Sequence, residues 1–206
     1  MKLNIKKFGW EVIGKMYSPC DEKGFSKEAY NTYILTRDLP TIIVNYLFDN
    51  SPDFWKLLKY SEKPLDQKDL TNKEKSAMIG RTSFNTDEYN ILFQRYTTDA
   101  MIKAKSQVRI YIDKVSSMGR TDALVRVIFQ VIVNNNEMMI ETPISKNDKR
   151  DVAIMQTIVE TLNGVKLDKT KSQIFVNNDI DRFAGAEQVS YNNNYSGFQL
   201  TMDVWI

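Results

Sequence analysis

The sequence predicts an α+β fold in which an N-terminal helical region precedes a mostly antiparallel sheet with one packed helix. Three observations predict it: apolar residues recur at helical spacing in the first half, they alternate at every second position from residue 106, and one helical pattern interrupts the strands. At 206 residues and 42% hydrophobic, the chain can form one substantial core. We divide it into an N-terminal arm or extension (1–37), a helical region (38–105) and an α+β sheet domain (106–206).

The helical region contains three short helices joined by polar turns. The stretch "DLPTIIVNYLF" places its apolar residues on one face, with Asp38 as cap and Pro40 in the first turn. A second helix, in "SPDFWKLLKYS", starts after Ser51 as N-cap. "TNKE" has the capping-box pattern and predicts a third helix over 72–79. The segment 84–100 is compatible with strand or helix and stays unassigned.

The sheet domain reads strand, strand, helix, strand, strand. "SQVRIYIDKV" and "LVRVIFQVIVNNN" alternate with period two, and the second has one continuous apolar face and one half-apolar face. "NDKRDVAIMQTIVETLNG" predicts a helix of about four turns, with Asp148 as cap and Gly164 as its end. "SQIFVNN" returns to strand, and the last twenty residues predict a hairpin that turns near Asn192 to Asn194.

Residue types exclude several classes of enzyme. The chain has no histidine, which removes Ser-His-Asp, Cys-His and histidine-bearing zinc sites, and its single cysteine cannot form a thiolate cluster. Its glycines form no phosphate-binding motif. Carboxylates with a hard metal ion remain possible, but Glu137, Glu141, Asp179 and Asp181 lack the spacing of a metal triad. We therefore expect no catalysis, no cofactor and no metal.

The charge is balanced between 28 basic and 26 acidic residues, so a net charge of +2 gives no global field that would attract nucleic acid or a membrane. No apolar stretch approaches the length of about 20 residues that spans a bilayer, and we expect no membrane contact. One group of basic residues could line a channel that passes DNA, where phosphate contacts need no sequence specificity; a solvated face is the alternative reading. The group comprises Arg120, Arg126, Lys146, Lys149 and Arg150.

The last strand, in "SGFQLTMDVWI", carries a large aromatic residue on the face opposite its core residues. That residue, Trp205, and the apolar residues Ile128 and Ile132 on the half-apolar strand face are candidates for contact with a neighbouring subunit. Alternatively, Trp205 covers a helix of its own chain.

The order of elements, the "VRVIFQVIVNNN" strand, the helix after it and the closing "YSGFQLTMDVWI" resemble the tail-terminator and neck proteins of tailed bacteriophages. "LLKYSEKPLDQKDLTNKEK" is similar to a stretch of head-to-tail connector proteins, and the resemblance covers about residues 38–206. It implies a structural virion protein, assembled in the host cytoplasm, that forms a homo-oligomeric ring and joins other head, neck or tail proteins. The alternative is a metal-dependent nuclease, or another nucleic-acid enzyme, on the same α+β sheet.

Overall fold

The computed structural model describes part of the chain, and for two short ranges, 27–35 and 175–176, it describes the backbone alone. The fully described ranges are 36–80, 88–95, 106–118, 123–143, 145, 147–165, 167 and 185–206. Within these ranges, three helices precede the main strands and a fourth lies between them. This arrangement confirms the predicted α+β class.

The N-terminal helices are α1 (Lys27–Asn50), α2 (Pro52–Lys59) and α3 (Asn72–Ala77), and a single 3₁₀ turn covers Pro64–Asp66. The capping box predicted for α3 is present: the Thr71 hydroxyl accepts from the Glu74 amide at 3.3 Å, and the Glu74 carboxylate accepts from the Thr71 amide at 2.9 Å. Helix α2 begins after Ser51 as predicted, although the Ser51 side chain makes no capping hydrogen bond. Local capping signals therefore located two of the three helix starts.

The predicted start of the first helix at Asp38 is wrong. Helix α1 begins at Lys27, runs across the boundary between residues 37 and 38, and contains Pro40 in its interior. A proline inside a helix removes one backbone hydrogen bond and is usually found in the first turn. Burial of Leu39, Ile43 and Leu47 along one face of α1 offsets that loss.

Six strands form the main sheet among the described residues: β1 (Ile91–Leu92), β2 (Ser106–Ser117), β3 (Ala123–Asn134), β6 (Phe175–Val176), β7 (Ala186–Asn192) and β8 (Tyr195–Trp205). Their order is β1-β2-β3-β8-β6, with β7 also paired to β8. Strand β1 runs parallel to β2, and every other pair in the sheet is antiparallel. Strand β8 is flanked by β3 along its length, and on its other side by β7 near one end and β6 near the other.

Between β3 and the fourth helix, the chain forms a small hairpin that the sequence did not predict. Strands β4 (Met139–Ile140) and β5 (Asp148–Lys149) pair antiparallel, and helix α4 (Arg150–Leu162) follows directly. The prediction that Asp148 caps this helix is therefore wrong, because the N-cap position belongs to Lys149. The Asp148 carboxylate instead accepts a hydrogen bond from the Thr142 hydroxyl within the hairpin.

The core lies between the helices and one face of the sheet. Helix α4 contacts β3 and β8, while α1 and α2 pack beside it on the same side. Strand β3 contributes its valine face and β8 contributes Leu200, Met202 and Val204. The apolar residues that α4 buries fully are Ile154, Ile158 and Leu162, which lie four residues apart on one face of the helix.

The asparagine run at 192–194 forms the predicted turn, and it contacts a second asparagine run at 134–136. Asn134 and Asn192 each accept a hydrogen bond from the amide two residues later, at 2.9 Å. The Asn135 amide donates to the Asn194 carbonyl, also at 2.9 Å. The end of β3 is thereby fixed to the β7–β8 hairpin.

Candidate interaction surface

The side of the sheet opposite the helices, here called the second face, carries four of the eight residues that the sequence proposed for contacts. Cross-strand rows define it: Lys114 of β2 lies opposite Arg126 of β3, which lies opposite Asp203 of β8. Near the C-terminal end of β8, Leu124 of β3 lies opposite Trp205. Because neighbouring strand residues alternate between faces, these residues point away from the helix-covered core.

Arg126 and Asp203 form a two-point ion pair on the second face. The Arg126 Nε donates to Asp203 Oδ1 at 2.9 Å, and its second nitrogen donates to Oδ2 at 3.1 Å. The Asp203 side chain is largely buried, whereas that of Arg126 keeps 42% of its surface exposed. Hydrogen bonding to Asp203, with a smaller contribution from Asp113, raises the pKa of Arg126 further above its ordinary value. The cation is therefore permanent, but its charge is compensated within the chain.

Ile128 and Ile132 are buried in the structure. Ile132 has no exposed surface and packs against Tyr191, with Val189 and Tyr195 beside it. Ile128 keeps only a small exposed fraction. This corrects the expectation that both isoleucines offer apolar surface to a neighbour, because the β7–β8 hairpin already supplies the cover for Ile132.

The packing of the β7–β8 hairpin against Ile132 depends on a glycine in β8. Gly197 of β8 lies opposite Ile132 on one side and opposite Val189 on the other. A Cβ atom at Gly197 would lie 2.0 Å from the carbonyl oxygen of Val131, which no side chain tolerates. The glycine therefore allows β3 and β8 to approach closely at this row.

Trp205 lies half-buried on the second face, between Leu124 of β3 and Phe175 of β6 in the strand register. Its neighbours in sequence, Val204 and Ile206, belong to the core on the opposite face. The described helices pack on that core face, so they do not provide the intramolecular cover that was the alternative for this ring. An aromatic side chain with part of its surface exposed remains at this corner of the sheet.

Arg150 has a structural position that the sequence did not predict. It is 1% exposed, and its guanidinium group donates to four backbone carbonyls. The acceptors are Glu137 at 2.8 Å, Leu57 at 2.7 Å, Tyr60 at 2.6 Å and Ser61 at 2.5 Å. Burial lowers its pKa from the ordinary value, while the Glu137 carboxylate acts in the opposite direction. This corrects the assignment of Arg150 to a channel, because all of its donors point into the protein.

The other basic residues proposed for a channel are not gathered into one cluster by the described structure. Lys149 is exposed at the start of α4. Arg120 and Lys146 lie outside the described residues. Of the five basic residues, only Arg126 and Lys149 are described with exposed side-chain surface.

Two of the four carboxylates considered for a metal site are described, and each lies near a basic side chain. Glu137 approaches Arg150 at 4.0 Å, and Glu141 pairs with Lys63 at 3.2 Å, while Asp179 and Asp181 lie outside the described ranges. The described part of the chain contains no group of three or more acidic, histidine or cysteine residues that could hold a metal ion. Among the described helices, none has the length and apolar character needed to cross a bilayer.

Fold and surface together define an α+β protein with a helical layer on one face of a six-stranded sheet and a partly exposed, mixed polar and aromatic second face. The model of the YomW family matches residues 51–204, well over half of the chain, and the chain therefore belongs to the YomW family. This family is phage-derived, which indicates a bacteriophage-associated protein. No curated protein and no solved structure matches the chain.

Proposed function

We propose that this chain is a structural virion protein that forms a ring at the head–tail junction of a phage particle, as a neck, connector or tail-terminator component. It is assembled in the host cytoplasm with other head, neck or tail proteins. Membership of a phage-derived family supports the phage setting. The observation that carries the ring is the half-buried Trp205 beside the Arg126–Asp203 ion pair on the second face.

An aromatic ring flanked by paired polar groups is a typical anchor of a protein interface. Aromatic residues and arginine are enriched at the centres of such interfaces, and charged groups there are usually paired. Trp205 has no described helix over it, so a second subunit is the proposed source of the missing contact. In the same proposal, exposed cations such as Lys149 contact the phosphates of passing DNA. Arg126 does not take this role, because Asp203 compensates its charge.

The test is the substitution Trp205→Ala, followed by analytical ultracentrifugation and negative-stain imaging. Loss of an interface anchor costs about 2 kcal/mol or more, which corresponds to about a 30-fold rise in the concentration needed for assembly. We expect weaker assembly with a nearly unchanged melting temperature. Thr201→Ala is the matched control, because Thr201 is also half-buried on the second face of β8.

Equal loss of assembly and of thermal stability would show that Trp205 packs mainly within its own chain. If Trp205→Ala changes neither assembly nor thermal stability, Trp205 is not part of an interface. A wild-type chain that stays monomeric at every accessible concentration, alone and with the rest of the phage particle, would contradict the ring itself.

A further inference from the structure

Helix α4 ends at an asparagine that is followed by a glycine. Asn163 is the C-cap residue of the helix, and Gly164 follows it with a positive φ of 68°. Both residues are exposed. In the whole sequence, no other asparagine precedes a glycine. The end of α4 therefore places a side-chain amide next to a backbone nitrogen that no Cβ atom shields.

An asparagine side chain can react with the backbone nitrogen of the residue that follows it. Hydroxide removes the proton of this nitrogen, which then attacks the side-chain carbonyl carbon. A bond from the nitrogen to that carbon forms, the bond to the side-chain nitrogen breaks, and ammonia leaves after it takes up a proton from water. The product is a five-membered succinimide ring. Water then adds to one of the two ring carbonyls and opens the ring to aspartate or isoaspartate, without any oxidation or reduction.

The backbone nitrogen of Gly164 is not held by a hydrogen bond to any described residue. The Asn163 amide before it donates to the Val159 carbonyl at 2.8 Å. The Val165 amide after it donates to the Leu162 carbonyl at 3.2 Å. Asn163 has an extended backbone with ψ of 126°, so closing the ring requires a rotation about its Cα–C bond. Glycine at the next position hinders this rotation least.

The end of α1 shows how the fold prevents the same reaction at another asparagine. The Asn50 side-chain nitrogen donates to the Tyr46 carbonyl at 2.9 Å. The next backbone nitrogen, that of Ser51, donates to the Leu47 carbonyl at 3.1 Å, and Ser51 is only 3% exposed. Both reacting groups are thus held in place at Asn50, whereas no bond of either kind to a described residue holds those at the end of α4.

We propose that Asn163 is a site of spontaneous deamidation in the folded protein, with the Gly164 nitrogen as the nucleophile and with aspartate and isoaspartate as the products. This inference does not depend on the proposed ring, because it rests only on the residues at the end of α4.

The reaction changes the charge at the end of α4. Each product has a carboxylate in place of the neutral amide of Asn163, and isoaspartate also inserts its methylene group into the backbone. The C-terminal end of a helix carries a partial negative charge, so a carboxylate is unfavourable there. The last turn of α4 contains no basic residue to compensate it. The altered residue directly follows Leu162, which is fully buried in the core.

The test is incubation of the folded full chain at several pH values, followed by ion-exchange chromatography and peptide mass spectrometry. We expect conversion at Asn163 and none at Asn50. The rate should rise about tenfold for each unit of pH, in proportion to the hydroxide that removes the amide proton. Asn163→Asp gives the elution position of the aspartate product. Asn163→Gln is the matched control, because it keeps the amide but must close a larger ring, and it should not react on the same timescale.

Three results would overturn the proposal. Conversion of Asn163 in the urea-unfolded chain but not in the folded chain would show that the fold keeps the Gly164 nitrogen away from the side chain. Acidic species that form at the wild-type rate in Asn163→Gln would assign the reaction to another residue. Conversion of Asn50 as fast as that of Asn163 would contradict the role given to the local hydrogen bonds.

Discussion

Replacing Arg150 should destabilise the protein more than any surface substitution, because its side chain joins the helical layer to the segment that follows β3. Its four hydrogen bonds reach the end of α2, the two residues that follow α2, and Glu137. In Arg150→Ala these carbonyls lose their donor inside the protein. Arg150→Lys keeps the charge but has one ammonium group in place of the planar guanidinium fork.

The expected magnitude follows from the number and kind of these bonds. A hydrogen bond to a charged group contributes about 1.5–3 kcal/mol, and a buried carbonyl left without a donor costs about 1–3 kcal/mol. The four bonds share one side chain, and their contributions do not add fully. We therefore expect a loss of about 4 kcal/mol for Arg150→Ala, within the range of about 3–5 kcal/mol found when one partner of a buried ionic contact is removed.

Urea unfolding, followed by both circular dichroism and tryptophan fluorescence, measures this loss. With a slope of about 2 kcal/mol per molar urea, the midpoint should fall by about 2 M in Arg150→Ala, and by a smaller amount in Arg150→Lys. Lys149→Ala is the matched control, because this adjacent basic side chain is exposed and should change stability by no more than about 0.5 kcal/mol.

A midpoint for Arg150→Ala that lies within error of the Lys149→Ala control would refute the reasoning. It would mean that the carbonyls find other donors, or that the hydrogen bonds of the buried guanidinium group are little more favourable than those it makes with water. A large loss in Arg150→Lys equal to that in Arg150→Ala would instead show that the geometry of the fork, and not the charge, provides the stability.

Two further predictions concern the sheet and the start of α4. Gly197→Ala should destabilise the protein by about 3 kcal/mol, measured by the same urea unfolding, because the added Cβ meets the Val131 carbonyl and forces β3 and β8 apart; an unchanged midpoint would contradict the close approach. Burial raises the pKa of Asp151 above its ordinary 3.8. The protonated carboxyl group therefore favours the folded state below pH 3.8, and this stabilisation is lost as the pH rises through the raised pKa. Asp151→Asn, whose amide oxygen can still accept from the Val152 amide, should therefore gain stability relative to wild type across that window, and a difference that does not vary with pH would refute the assignment.

The parts of the fold that the sequence predicted are those set by local patterns. Alternation located β2 and β3, the capping box located α3, and the asparagine run located the turn between β7 and β8. Each signal depends on residues close together in sequence, so it can be read without knowing any distant contact. The start of α1 was missed because Pro40 is a strong signal for a first turn, and only tertiary burial outweighs it.

The candidate surface was predicted less well, since charge and hydrophobicity alone do not show which side chains find partners inside the chain. Arg150 is preceded by a lysine and followed by an aspartate, as a solvated residue often is, yet both Arg150 and Asp151 are buried. Its carbonyl partners at Leu57 and Tyr60 are about ninety positions away in sequence. The pairing of Arg126 with Asp203 joins strands that only the sheet order brings together.

The position of β8 changes where an interface should be sought. A final strand that formed an edge would offer its backbone to a neighbour, but β8 is paired with β3 on one side and with β7 and β6 on the other. Trp205 can therefore contribute through its ring on the second face and not through strand pairing.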